Sequence, residues 1–253
     1  MKLEENKLKL IKEALTDQKN VFGDSLFTQI SLSSVQEETK EVIFENKNPV
    51  NVVMEKEPSL IEEEFKNAKN LEELNSLICE CQKCPLGKTR TKFVFGVGNP
   101  NADVMIIGEA PGADEDRQGE PFVGRAGKLL NDILKAIHFE REEVFIANIL
   151  KCRPPGNRNP LPSEMEICIP YLHKQIELIK PKLILSLGLV SATGLLKQKL
   201  SLTQMRGNVY ELNGVKVMVT YHPAALLRNP NWKRGCWEDV QKFRKLYDEL
   251  KSK

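Results

Sequence analysis

A single carboxylate, Glu109, lies in a Gly-Glu-Ala-Pro-Gly loop that directly follows a short apolar run at residues 104–107. Such a run, bounded by turn-forming residues, predicts a strand buried on both faces of a parallel sheet. Ligands of open α/β sheets bind beyond the carboxyl ends of the strands, so Glu109 is well placed for chemistry. The alternative is an ordinary turn whose glutamate faces water. Glu115 and Asp116 follow in the same segment and either share a catalytic task or form a solvated acidic turn.

Four cysteines have the spacing of a metal centre. Cys81 and Cys84 form a Cys-x-x-Cys pair, whose turn lets two thiolates converge, and Cys152 and Cys168 complete a four-thiolate set. Tetrahedral zinc and a 4Fe-4S cluster both fit this count, and Cys79 is an alternative to Cys81. The Pro-rich backbone after Cys152 favours a structural centre over a catalytic one. Unrelated free thiols are the remaining alternative.

The elements that must position these residues alternate between strands and helices. Strands are predicted at residues 104–107, 144–150, 183–187 and 216–220, and a hairpin with Asn213-Gly214 at its turn leads into the last one. Helices are predicted at residues 126–137, 163–179, 191–197 and 237–251. The alternation implies right-handed crossovers. We therefore expect an α/β fold with three α/β/α layers around a central four-stranded, mainly parallel sheet, whose loops open at one edge.

The first 58 residues are predicted to be a flexible charged N-terminal extension, and residues 59–253 to be the folded α/β domain. Residues 17–58 are rich in Glu, Lys, Asn, Ser and Gln without a sustained period. Residues 1–16 have apolar positions at the spacing of a short amphipathic helix, and Ser59 with Glu62 resembles a capping box. Acidic flexible segments often recruit partners, so a protein partner is considered for the extension.

Charge is distributed unevenly along the chain. Residues 1–64 hold 8 Lys and 14 Asp or Glu, whereas the other 189 residues hold 29 basic and 21 acidic side chains. A moderately basic body suits a polyanion such as DNA. The N-terminus is charged and the chain contains no run of 18 apolar residues, so neither a signal peptide nor a membrane span is predicted. A cytoplasmic protein is expected.

Together these motifs resemble the family 4 uracil-DNA glycosylases, the iron-sulfur branch of the uracil-DNA glycosylase superfamily. The resemblance covers residues 81–250 and depends on four blocks in the family's order: Gly108-Glu109-Ala110-Pro111-Gly112, residues 116–127, residues 148–155 and His222-Pro223-Ala224. It implies that a structural 4Fe-4S cluster is bound by Cys81, Cys84, Cys152 and Cys168. Lys151 and Arg153 would then be stabilised beside a negatively charged site.

The resemblance also implies roles for four side chains. Phe122 would stack on a uracil flipped out of DNA, and Asn148 would read its Watson–Crick edge, accepting from N3–H and donating to O4. His222 would donate to uracil O2, where negative charge develops as the glycosidic bond breaks. Glu109 would position the attacking water, and family 5 enzymes lack a carboxylate there. The alternatives are an asparagine that caps the following loop and a structural histidine.

DNA contacts are implied in two further loops. Leu226, Leu227 and Arg228 resemble the loop that fills the space left by the extruded base, and the sequence does not decide which leucine intrudes. Backbone or phosphate contacts are expected from Gly108, Ala110, Gly112, Asn157, Arg158 and Ser191. Residues 153–160 contain no histidine, so ordinary hydrolysis by water is expected rather than a covalent bond to DNA.

These inferences predict a monofunctional DNA repair glycosylase. It would release uracil from single- or double-stranded DNA and leave an abasic site without strand cleavage, acting as a monomer. The alternative is a non-catalytic or polymerase-associated DNA-binding module with the same fold.

Overall fold

The computed structural model describes residues 64–252. The chain divides between Glu57 and Pro58, and the described residues belong to the second unit. The predicted flexible extension, the predicted helix within residues 1–16 and the capping box at Ser59 and Glu62 lie outside the described residues. The division into an extension and a domain at residues 58 and 59 therefore stays a prediction.

A six-stranded sheet forms the centre of the described part of the chain. Its strands lie in the order β1-β3-β2-β4-β6-β5. They are β1 (Val97–Gly98), β2 (Val104–Gly108), β3 (Phe145–Asn148), β4 (Leu183–Leu187), β5 (Val209–Leu212) and β6 (Val215–Thr220). The four predicted strands are the parallel core, β3-β2-β4-β6.

Two antiparallel edge strands correct the predicted count of four strands to six. Strand β1 has two residues, too few to show an alternating pattern in the sequence. Strand β5 is the first arm of the predicted hairpin. The hairpin turn is confirmed, because Asn213 and Gly214 both have positive φ angles, 50° and 85°, as a two-residue turn with a primed geometry requires.

Helices cover both faces of this sheet. They are α1 (Leu71–Ile78), α2 (Leu86–Thr89), α3 (Ala113–Gln118), α4 (Arg125–Ala136), α5 (Pro162–Ile179), α6 (Leu189–Leu196), α7 (Leu202–Met205), α8 (Pro223–Arg228) and α9 (Lys233–Lys251). Short 3-10 turns lie at Glu64–Asn67, Pro155–Asn157 and Pro230–Trp232. No helix in the described part is long and apolar enough to cross a membrane. The expected cytoplasmic location stays a prediction.

Alternate residues of the parallel strands face opposite layers. Met105 and Ile107 of β2 pack in one core with apolar residues of α1 and α5. Val104 and Ile106 pack in a second core with residues of α4 and α9. Because each strand is buried on both faces, it reads as a continuous apolar run in the sequence. The predicted three-layer α/β/α fold is thereby confirmed.

The carboxyl ends of the four parallel strands meet at one edge of the sheet. Glu109 follows β2, Asn148 ends β3, Gly188 follows β4 and His222 lies just beyond β6. Strands β3 and β4 lie on opposite sides of β2 in the sheet. The connection from β2 to β3 therefore runs towards one edge of the sheet, and the connection from β3 to β4 runs back towards the other edge. A crevice at such a reversal is the usual ligand site of open α/β sheets.

Candidate active site

Gly108 and Asn148 end two neighbouring parallel strands and pair directly with each other. A Cβ atom at position 108 would lie 2.6 Å from Cζ of Phe122 and closer still to Oδ1 of Asn148. Both distances are shorter than real Cβ contacts allow. Glycine at this position therefore lets an amide and an aromatic ring lie together against the end of β2.

The side chain of Asn148 presents a buried acceptor. Asn148 is 2% exposed, and its Oδ1 atom has no hydrogen-bond partner among the described residues. A buried polar atom without a partner costs about 1–3 kcal/mol, so such atoms are rare in folded proteins. Asn148 does not cap the following loop through this oxygen. The acceptor is therefore free to accept a hydrogen bond from a ligand.

The backbone at Phe122 is held in a left-handed conformation, with a φ angle of 54°. Glu115 Oε1 accepts hydrogen bonds from the N–H groups of Val123, at 3.0 Å, and Gly124, at 3.2 Å. On the other side, a Cβ atom at Gly127 would overlap the carbonyl of Phe122. An unfavourable backbone conformation persists where its surroundings fix it, and these contacts fix the position of the Phe122 ring.

Two carboxylates of α3, Glu115 and Asp116, hold this segment to its neighbours. Glu115 also accepts from the N–H of Gly112 through Oε2, at 3.1 Å, at the start of α3. Asp116 is buried and accepts from the N–H and the hydroxyl of Thr91, both at 2.8 Å. Neither residue lies in the solvated acidic turn that the sequence allowed. The hydrogen bonds of Glu115 hold the backbone beside Phe122, and those of Asp116 join α3 to Thr91.

His222 lies beside Phe122, with ring centroids 5.5 Å apart. Its Nδ1 atom accepts a hydrogen bond from the N–H of Ala224, at 3.2 Å. Burial, together with the positive charge of Arg228, lowers the pKa of His222 to about 4. The ring is therefore neutral at physiological pH and carries its proton on Nε2, because Nδ1 is an acceptor. It is a neutral donor at the end of β6.

Glu109 is half-buried, and burial raises the pKa of its carboxyl group to about 6. The charge of Arg228 opposes this shift by favouring the carboxylate. The same guanidinium lowers the pKa of His222. Glu109 and His222 therefore both lie near Arg228. The carbonyl of Glu109 accepts from the N–H of Leu150, at 3.0 Å, which fixes its backbone beside the end of β3.

Four residues from distant parts of the sequence are thus brought together: Glu109, Phe122, Asn148 and His222. The structure distinguishes the two leucines of the neighbouring loop. Leu226 is 1% exposed and packs in the second core, whereas Leu227 is 38% exposed. A buried leucine cannot enter DNA without leaving the core, so Leu227 is the leucine available for contact. Arg228 is exposed beside it.

Other predicted contact residues are engaged within the protein. Arg158 forms a two-pronged ion pair with Glu164, at 2.9 and 2.6 Å, and Asn157 accepts from Nε of Arg153 at 2.7 Å. Both exposed side chains therefore order the loop before α5. Ser191 is wholly buried and donates to the carbonyl of Ile107 at 2.8 Å. The hydroxyl of Ser191 is therefore engaged inside the protein, and the expected backbone or phosphate contact of this residue stays a prediction.

Two smaller predicted residues line the loop after β2. Ala110 is partly buried and packs against the first core. The N–H of Gly112 is already bonded to Glu115. The absence of a side chain at Gly108 leaves room for Asn148 and Phe122.

Two cysteines of the predicted metal centre, Cys152 and Cys168, are influenced electrostatically by the others of the set. The pKa of Cys152 is raised by burial and by the thiols of Cys84 and Cys81. Burial raises the pKa of Cys168 to about 12, and Cys152 and Cys84 add to this effect. The thiols of Cys81 and Cys84 therefore lie near the buried thiol of Cys152, and Cys84 lies near that of Cys168. Cys79 is engaged elsewhere, since its thiol faces the carbonyl of Ser76 at 3.6 Å.

Three of these sulfur atoms have hydrogen-bonding neighbours. Tyr171 Oη lies 3.3 Å from Cys81 Sγ, Arg90 Nη1 donates to Cys152 Sγ at 3.4 Å, and the N–H of Lys151 donates to Cys168 Sγ at 3.4 Å. Among residues 64–252, no group of three or more His, Cys, Asp or Glu side chains is arranged to hold a metal ion. The chemistry of the donor set nevertheless fits thiolate ligands, because donors and cations surround buried sulfur atoms.

Three scaffold residues were not identified from the sequence: Arg90, Tyr171 and Gln175. Arg90 donates to the carbonyls of Cys81 and Cys79, at 2.5 and 2.8 Å, and so fixes the segment that contains the Cys-x-x-Cys pair. Gln175 is wholly buried in α5 and bonds Lys151 at 2.6 Å. A polar residue on the apolar face of a predicted helix was the available signal for Gln175.

Comparison with known proteins assigns the fold and the motifs to a family. Residues 95–251 match the model of the uracil DNA glycosylase superfamily. The type-4 uracil-DNA glycosylase of Archaeoglobus fulgidus is 44% identical over 186 residues, which is 70% of this chain and 94% of the relative.

Two further relatives give the same result. The type-4 enzyme of Saccharolobus solfataricus is 47% identical over 193 residues, 73% of this chain and 88% of the relative. That of Thermotoga maritima is 43% identical over 179 residues, 68% of this chain and 93% of the relative. These similarities confirm the predicted resemblance to the type-4 enzymes. The chain belongs to the uracil DNA glycosylase superfamily.

Proposed function

We propose that the protein is a DNA repair glycosylase that flips uracil out of DNA and hydrolyses its N-glycosidic bond, leaving an abasic site without strand cleavage. The observation that carries this proposal is the unpartnered Oδ1 of Asn148, buried against Phe122 at the ends of two strands. A buried acceptor beside an aromatic ring suits a flat base that offers one N–H donor.

Base selection follows from the amide of Asn148. Uracil presents N3–H to Oδ1 and O4 to Nδ2, so both groups of the amide are satisfied. Cytosine presents an acceptor at N3 and an amine at C4. Oδ1 then faces an acceptor and Nδ2 faces a donor, so neither hydrogen bond forms. A site built for one hydrogen-bonding pattern rejects its mismatch strongly, because buried polar groups are left without partners. Stacking on Phe122 contributes about 1–3 kcal/mol for any base and so adds affinity without selectivity.

Bond cleavage needs stabilisation of two developing charges. Negative charge grows on the leaving base, and the Nε2–H of the neutral His222 is available to donate to uracil O2. Positive charge grows on the sugar. The negative carboxylate of Glu109 stabilises this charge and orients the attacking water. Interactions that strengthen as charge develops lower the barrier more than they tighten substrate binding.

DNA must also be held with one base extruded. Leu227 is the exposed apolar side chain that would fill the vacated space, and Arg228 beside it would contact phosphate. Flipping a base costs a few kcal/mol, which such a wedge offsets. The predicted contacts of Asn157 and Arg158 would come from the loop that Glu164 orders.

We propose a 4Fe-4S cluster as the resident cofactor, held by Cys81, Cys84, Cys152 and Cys168. When bound, it would cross-link three chain segments as a structural centre. Action as a monomer and a protein partner for residues 1–58 remain predictions of the sequence.

A base-release assay tests the proposal. The cluster-loaded, full-length protein is incubated with single- and double-stranded oligonucleotides that contain uracil, thymine or cytosine at one position. We expect free uracil and an alkali-labile abasic site from both uracil substrates, with no strand break before alkali. Tight binding of uracil DNA without base release would instead support the non-catalytic module, and release of cytosine would contradict the proposed role of Asn148.

A further inference from the structure

Lys151 is a wholly buried lysine between the candidate active site and the cysteine set. Its Nζ atom donates to the carbonyl of Asn148, at 3.1 Å, and to Oε1 of Gln175, at 2.6 Å. Gln175 is itself fixed, because its Nε2 donates to the carbonyl of Phe95 at 3.0 Å. The ammonium group therefore has a defined position between the end of β3 and α5.

The peptide group that joins Asn148 to Ile149 is held on both sides. Its carbonyl accepts from Lys151, and its N–H donates to the carbonyl of Gly108 at 3.0 Å. A peptide plane fixed at both polar atoms fixes the direction in which the Asn148 side chain leaves the backbone. Lys151 thus controls the orientation of the amide that we assign to base reading.

The same residue contacts the cysteine set directly. Its N–H donates to Sγ of Cys168, at 3.4 Å, and Cys152 is the next residue in the chain. The partners of its ammonium group are a carbonyl and a neutral amide, in contrast to the largely buried Lys174, which pairs with Glu177 at 2.7 Å. Lys151 is therefore joined to the cysteine set through its backbone N–H and to the end of β3 through its side chain.

We propose that Lys151 is a positioning residue that couples the four-cysteine site to base recognition: its backbone N–H binds Sγ of Cys168, and its ammonium group holds the backbone of Asn148. This inference rests on the proposed function of Asn148. Lys151 is assigned no contact with the base and acts through Asn148.

Two variants and one control test the coupling. Lys151→Met keeps the length of the side chain and removes the charge and the donor. Gln175→Leu leaves the ammonium group in place but removes its anchor on α5. Lys174→Met is the matched control, a nearly buried lysine on the same helix whose partner is a carboxylate outside the site. All three proteins are prepared with the cluster loaded, and iron content and visible absorption are recorded.

We expect Lys151→Met to lower kcat for uracil release by about ten- to a hundredfold, as loss of a charged hydrogen bond does. KM for DNA should change little, because the wedge and phosphate contacts remain. Gln175→Leu should cause a smaller loss in the same direction, and Lys174→Met none. Hydrogen exchange at the N–H of Ile149 gives a second measurement that does not depend on catalysis. It should be faster in Lys151→Met and Gln175→Leu than in the wild type and in Lys174→Met.

Unchanged kcat and unchanged exchange at Ile149 in an iron-loaded Lys151→Met protein would overturn the inference. If Lys151→Met does not retain iron, Gln175→Leu decides by the same two measurements. If the wild type releases no uracil, the proposed function fails, whereas exchange at Ile149 still shows whether Lys151 holds the Asn148 backbone.

Discussion

The rings of Phe122 and His222 lie side by side, with centroids 5.5 Å apart and planes inclined by 31°. Phe122 comes from the loop between α3 and α4, and His222 from the end of β6, so the contact joins segments that are 100 positions apart in the chain. A base that stacks on Phe122 therefore has an imidazole near its rim. The proposed activity depends on this meeting of an unselective stacking surface with directional hydrogen-bonding groups.

Asn148→Asp tests base reading. The carboxylate keeps the size of the amide but loses the Nδ2 donor and adds a buried negative charge, so uracil O4 meets an acceptor. We expect the rate of uracil release to fall by at least about a hundredfold. Single-turnover release from uracil-containing DNA is the measurement. Asn208→Asp, on an exposed asparagine outside the site, is the control and should match the wild type. An unchanged rate in Asn148→Asp would remove this residue from the pocket.

The pH dependence of catalysis tests Glu109. Its pKa is raised to about 6 by burial, and the form proposed to be active is the carboxylate. The value of kcat/KM should therefore fall about tenfold per pH unit below pH 6 and level off above it. The pKa of His222 is lowered to about 4, so this ring stays neutral and adds no second limb above pH 5. The Glu109→Gln variant should release uracil much more slowly, and its kcat/KM should no longer fall as the pH drops below 6.

The same carboxylate should destabilise the native protein at neutral pH. Its folded-state pKa lies above the ordinary 4.5, at about 6, so the associated stability is present below pH 4.5 and is lost as the pH rises through 6. At pH 7 the cost is about 2 kcal/mol, at about 1.4 kcal/mol for each tenfold change in proton affinity. Glu109→Gln should therefore raise the free energy of unfolding at pH 7 and leave it nearly unchanged at pH 4. Urea unfolding at both pH values measures this difference, and lower stability of the variant at pH 7 would contradict it.

Much of the architecture is predictable because its signals are local in the sequence. Buried strands such as residues 183–187 appear as apolar runs, and the hairpin at Asn213-Gly214 requires residues that tolerate positive φ. Strand β1 was not predictable, since two residues carry no period and its pairing with Phe145 and Ile146 is a tertiary contact.

The candidate site was predictable in its principal residues and not in its supports. Resemblance to a family identifies Glu109, Phe122, Asn148 and His222, because they stand in recognisable blocks. The hydrogen bonds of Glu115 to Val123 and Gly124 depend on how the loop folds back on α3, which no spacing shows. Likewise, only the packing of the second core separates Leu226 from Leu227.

Glu115→Gln tests the support of the stacking ring. Loss of the charge weakens three hydrogen bonds to the N–H groups of Gly112, Val123 and Gly124, and charged acceptors bind such groups more strongly than neutral ones. The left-handed backbone at Phe122 should then relax, and the rate of uracil release should fall by about tenfold. The limb near pH 6 should persist, which distinguishes a positioning role from that of Glu109. Glu120→Gln, on an exposed glutamate of the same loop, is the control.

Leu226→Ala and Leu227→Ala separate a core residue from a DNA contact. Leu226 is buried among residues of the second core, so its truncation leaves a cavity and should lower the free energy of unfolding by about 2–5 kcal/mol. Leu227 is exposed, so its truncation should leave stability within about 0.5 kcal/mol of the wild type. It should instead slow uracil release from duplex DNA more than from single strands, because only the duplex has a stacked space to fill once the base leaves. If Leu227→Ala slowed release from duplex and single-stranded DNA by the same factor, another residue would have to fill the space that the base leaves in the duplex.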